Sequence, residues 1–96
     1  FMDSLICFIL NRATTLQNTP SLPTINPTEI ASLFFNGSIG KTADDTQIKQ
    51  TLDVMKSLVK QGLLQQTDVN DDIPNANRFS ITPNGKKFLE SNCKQA

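Results

Sequence analysis

The stretch KSLVKQGLLQQTDVNDDIPNANRFSITPNGKKFLE, Lys56 to Glu90, carries the signals that decide the fold. Its first residues finish a helical stripe, and Gly62 is the expected terminator. Leu63–Val69 and Arg78–Thr82 then alternate apolar and polar residues, which predicts two strands paired as a hairpin around the polar segment NDDIPNAN. Pro83–Asn84–Gly85 reads as a turn, after which Phe88 and Leu89 anchor a short last helix. A lone two-stranded hairpin is marginal in water. Leu63, Val69, Phe79 and Ile81 are therefore expected to lay it against helices supplied by the rest of the chain.

Three such helices are predicted upstream. Asp3 and Ser4 are caps for a first one, roughly Asp3–Leu16. The run Leu5, Ile6, Phe8, Ile9 and Leu10 makes it apolar most of the way round, and such a helix is buried on several sides. Two readings follow. In one, a second copy of the chain covers these five residues, giving a homodimer through the first helix. In the other, the helix is central to the chain's own core, with the proline-rich connector QNTPSLPTINP folded back over it.

NPTEIASLFFNG is the second helix, with Asn26 as cap, Pro27 at the first position, Glu29 in a box-like arrangement and Asn36–Gly37 as the stop. In the following SIGKTADD, Ile39 is expected to dip into the core. Asp44 or Asp45 then caps a third helix to about Gln61, where Ile48, Leu52, Met55 and Leu58 or Val59 repeat at helical spacing. The expected class is mainly α with a small β-hairpin, as one domain over residues 1–96 with an extended connector at 17–27. Phe1 ahead of Met2 reads as a cloning remnant, and the chain as a complete small protein or a defined N-terminal piece.

Composition narrows the function. The chain has 38% hydrophobic and 19% charged residues, a globular balance. Nine basic residues offset nine acidic ones. No global field draws it to nucleic acid or an anionic membrane, so an electrostatic partner must be met by a local patch. With no His and no paired-cysteine spacing, no metal or cofactor is expected. Cys7 sits in an apolar run and Cys93 in a polar tail, so both read as free thiols in a reducing, cytoplasmic setting. LICFIL is far too short to span a bilayer. No nucleophile–base pair, carboxylate pair or glycine-rich phosphate loop points to an enzyme.

Taken in order, the segment from Pro27 to Leu89 resembles winged-helix (winged helix-turn-helix) transcriptional regulators. The small bacterial and archaeal types related to the multiple-antibiotic-resistance and phenolic-acid regulators are the nearest in look. PTEIASLF is similar to the first helix of their helix-turn-helix, Leu58 with Gly62, Leu63 and Leu64 to the end of their recognition helix, and ITPNGKK to the turn after their wing. The resemblance implies a third helix, about residues 45–61, in the DNA major groove, with residues 70–77 as a flanking wing. Thr46, Gln47, Lys49, Gln50 and Asp53 would then face base edges. Thr28, Lys41, Thr42, Lys56, Arg78, Lys86 and Lys87 would meet the backbone of double-stranded DNA, with Asn75 and Asn77 on the wing.

The chain departs from the family pattern in three places. The turn from about Asn36 to Asp44 is long, Asp44 and Asp45 stand at the entrance of the recognition helix, and the wing carries Asp68, Asp71 and Asp72. These carboxylates repel phosphate, and they fit the alternative function, a winged-helix module that docks a protein partner through its wing or first helix without binding DNA. A basic face through Lys49, Lys56, Lys60, Arg78 and Lys86 would favour DNA.

Overall fold

Phe79 is the pivot of the architecture. In the computed structural model, which describes residues 2–21 and 23–93, its ring is fully buried and its backbone pairs on both sides. The elements run α1 (Met2–Gln17), α2 (Pro27–Asn36), α3 (Asp45–Lys60), β1 (Leu64–Asp68), a 3₁₀ turn (Pro74–Ala76), β2 (Arg78–Ile81) and α4 (Pro83–Asn92). The protein is thus mainly helical, with one two-stranded antiparallel hairpin. Phe79 faces Gln66 across the hairpin. On its other edge it exchanges two backbone hydrogen bonds with Ile25 of the connector, at 2.8 and 2.9 Å. Phe1 lies outside the described residues.

α1 buries Leu5, Ile9, Leu10 and Ala13 in the chain's own core. This corrects the assignment of Leu5, Ile9 and Leu10 to a dimer interface. That assignment counted one covering surface, whereas α1 packs against β2, α2, α3 and α4 together. Ile6 and Phe8 remain half-buried, packed on the rim of that core. The connector contributes Ile25, also fully buried.

The α2 cap forms as its residue types dictate. The Asn26 side chain accepts from the Glu29 amide at 2.8 Å, and Gly37, at φ 74°, closes the other end. The Glu29 carboxylate is turned to Arg12 instead, at 3.4 Å. In the following turn Ser32 donates to the Thr28 carbonyl and accepts from the Ala43 amide. Ala43 thereby enters a small cluster with Ala31 and Ile48. Ile39 does not dip inward and is 55% exposed; Ala43 is the buried apolar residue of this turn.

Asp44 starts α3 with a complete capping box, and Ile48, Thr51, Val54, Met55 and Leu58 are its buried side. Gly62, at φ 78°, ends it and delivers the chain into β1. The hairpin register slips between Gln66 and Asp68, where Thr67 is an extra residue. Such a bulge reverses which residues face the core beyond it. Val69, expected to pack, is nevertheless 70% exposed, because β1 is phased on Leu64, opposite the buried Ile81, rather than on Leu63, and ends at Asp68 short of Val69; Leu63, Leu64, Phe79 and Ile81 form the inner face.

Pro83–Asn84–Gly85 is not a turn but the first turn of α4. Thr82 makes the difference: its hydroxyl donates to the Gly62 carbonyl at 2.6 Å and accepts from the Gly85 amide at 3.0 Å, capping the helix while tying it to the end of α3. The other end of α4 carries the largest correction. Cys7 and Cys93 are joined as a disulfide, with Cα atoms 5.5 Å apart across a sequence separation of 86. The fold brings the ends of the described chain together, which the sequence neighbours of the two cysteines do not reveal. The reducing setting inferred from free thiols loses its ground.

Candidate nucleic-acid interface

Among the described helices, α3 carries the most predicted contact residues, and its solvent side gathers most of them. Lys49, Asp53, Lys56 and Lys60 recur at intervals of four, three and four, and all are exposed. That spacing keeps them on one stripe, opposite the buried side. Thr46 is exposed beside it, and Gln50 is half-buried. Lys49 and Asp53 pair at 3.2 Å, with side chains 77% and 62% exposed. An exposed pair of this kind contributes about 0.3–0.5 kcal/mol at most, so the lysine is readily yielded to a stronger anion. The stripe is therefore basic on balance.

Three predicted contact residues are committed elsewhere. Gln47 has its side-chain oxygen on the Asp44 amide at 3.1 Å, as the reciprocal half of the capping box. Arg78 donates from Nε to the Thr24 hydroxyl at 2.6 Å and from Nη2 to the Thr24 carbonyl at 3.0 Å, clamping the connector. It drops out of the expected basic face. Asn77 is 1% exposed and organises the loop between β1 and β2 from within. Its Nδ2 donates to the carbonyls of Asn70 and Pro74, and its Oδ1 accepts from the Asn70 amide and Gln66 Nε2. Asn75 stays exposed at the tip.

The remaining positions lie on other elements. Lys41 and Thr42 are exposed in the α2–α3 turn, where Asn36 holds the Lys41 carbonyl at 2.7 Å. Thr28 is half-buried at the start of α2. Lys86 and Lys87 are exposed on α4, whose first turn is tied to the end of α3 through Thr82. The loop between β1 and β2 differs in character. Asp68, Asp71 and Asp72 are exposed, no cation lies between Gln61 and Asn77, and Val69 and Ile73 stand out at 70% and 57% exposure. Sequence reasoning missed Asn70, whose side chain accepts from the amides of Asp72 and Ile73. The signal was present as an Asn at the mouth of a polar loop, where that residue type commonly bonds its own backbone two residues on.

Among the described residues no cluster of three or more His, Cys, Asp or Glu could hold a metal, and no helix is long and apolar enough to cross a membrane. The chain matches no protein-family model, no curated protein and no solved structure.

Proposed function

We propose that this chain is a winged-helix DNA-binding domain of a transcriptional regulator, engaging the major groove with the exposed side of α3. The observation that carries the reading is the stripe of Lys49, Lys56 and Lys60, presented by a helix that is capped at its start and braced beneath by the core. A helix of this kind fits the major groove, and its N-terminal residues reach base edges first. Thr46 and Gln50 supply hydrogen-bonding groups there, and Lys49 suits either guanine or phosphate. Lys56, Lys60, Lys41 and Lys86 supply phosphate contacts, which position the domain without reading sequence. The acidic wing adds no such contact, so binding rests on α3 and its flanks.

Fluorescence anisotropy with the protein's own upstream region and a random duplex pool tests this. Affinity is expected to fall with salt, the logarithmic slope being about −0.9 for each phosphate contacted. Lys56→Ala should lower that slope by about one and weaken all sequences alike, whereas Gln50→Ala should narrow the gap between the preferred and random sequences. Absence of binding to both duplexes at low salt would exclude the reading. It would leave the protein-docking alternative, which the exposed Val69 and Ile73 on an acidic wing favour.

A further inference from the structure

The two ends of α4 are held by different means. Its first turn is locked to the hairpin by Thr82 and by Gly85, which seats the helix against the Leu63 backbone. Beyond that turn the grip weakens. Gly85 is the only residue of α4 that is fully buried, Phe88 and Leu89 are half-buried, and Glu90, Ser91 and Asn92 are exposed. Among the described residues no side-chain hydrogen bond or salt bridge joins α4 to α1, and Asn92 bonds back to its own helix at Phe88. The Cys7–Cys93 disulfide is the one specific tie between the last turn of α4 and α1. Both cysteines are half-buried, and both line an open groove between these helices.

We propose that this disulfide is a redox latch: reduction by a protein dithiol releases the C-terminal half of α4 from α1 while the α2–α3 unit and the hairpin stay folded. The thiolate of the reductant attacks one sulfur, for instance Sγ of Cys93. The S–S bond breaks, and the Cys7 sulfur leaves as a thiolate that takes a proton from water. The second thiol of the reductant then displaces Cys93 from the mixed disulfide. The chain gains two electrons and two protons, and the reductant becomes a disulfide. The groove admits the attacking sulfur. What holds α4 afterwards is the half-buried contact of Phe88 and Leu89, so the last turns exchange between docked and undocked positions. Local opening of this kind is drawn from segments with few buried contacts. Ile6 and Phe8, on the side of α1 that α4 overlies, become accessible in the open state.

Hydrogen exchange of the oxidised protein, of the protein after thioredoxin with its reductase and NADPH, and of the Cys7→Ser/Cys93→Ser variant reads this directly. Amides of residues 88–92 are expected to lose at least tenfold in protection in both reduced states, while amides of α3 and β2 remain protected. A thioredoxin lacking its resolving cysteine should be trapped as a mixed disulfide with the folded protein. Three results would overturn the latch: a disulfide that thioredoxin reduces only after denaturation, unchanged protection at 88–92, or loss of protection throughout α3 and β2, which would make the bond a staple of the whole fold. None of these depends on DNA binding.

Discussion

Replacing Gly85 by alanine would set a methyl group against the Leu63 carbonyl oxygen, well inside contact distance, with Ile81 Cγ1 at 2.8 Å and the Leu63 carbonyl carbon at 3.1 Å. The nearest obstacle is backbone, so no rotamer change relieves it. Either α4 lifts from the hairpin or the Gly62–Leu63 link moves, and Gly62 already occupies a left-handed conformation at φ 78° while its carbonyl accepts the Thr82 hydroxyl. Overpacking costs about 1–3 kcal/mol, and a backbone obstacle argues for the upper end. Alanine's better helix propensity returns up to about 1 kcal/mol. The net loss is then about 2 kcal/mol, which for a domain of this size lowers Tm by roughly 8–16 °C. Thermal and urea unfolding followed by circular dichroism would measure it. Gly40→Ala is the control, since its Cβ would meet only Ser38 Oγ at 3.4 Å. A Gly85→Ala protein that melts with the wild type would refute the close approach of α4 and, with it, the docking of the hairpin described above.

Other substitutions probe the remaining joints. Asn77→Ala removes the buried amide that five groups of the hairpin and its loop share, and should cost about 1–3 kcal/mol with proteolysis appearing first at residues 70–76; an unchanged cleavage pattern would contradict the network. Thr82→Val removes the α4 cap and the tie to Gly62, for an expected loss of about 1–2 kcal/mol in urea unfolding. Arg78→Lys should leave DNA affinity unchanged while loosening the connector at Thr24, as seen by exchange at the Ile25 amide. With Leu5, Ile9 and Leu10 inside the core, the oxidised chain is expected to sediment as a monomer at high micromolar concentration, and a stable dimer would point to the surface of Ile6 and Met2 beside Val54 and Leu58.

The elements that sequence reading placed well are those whose ends are fixed by local chemistry. Asn26 with Pro27, Asp44 with Gln47, and glycines after residues 36 and 61 act within one turn, so the bounds of α2 and α3 follow from near neighbours. What escaped depends on contacts distant in sequence. Whether Leu5, Ile9 and Leu10 face a partner or the core is decided by α4 and β2, more than sixty residues away. Whether Cys7 is a thiol is decided by residue 93. The alternation that put Val69 inside counts from Leu63, whereas pairing with Ile81 phases the strand on Leu64, one residue later, which turns the expected inner set outward.

The candidate site divides along the same line. Exposure of the α3 stripe follows from helical periodicity and was readable directly, because the buried side fixes the opposite one. Residues read as contacts by type alone fared differently. Gln47, Asn77 and Arg78 each carry several hydrogen-bonding groups, and those that suit a base or a phosphate suit an orphan backbone group equally well. A capping position, a loop mouth and a connector carbonyl lie closer in the fold than any ligand does. The lysines of α3 have no such internal claimant beyond Asp53, and an exposed ammonium is poorly repaid by a single exposed carboxylate. The functional reading of this surface therefore rests on the side chains for which the fold has no other use: Thr46, Lys49, Lys56 and Lys60, with Gln50 at their edge.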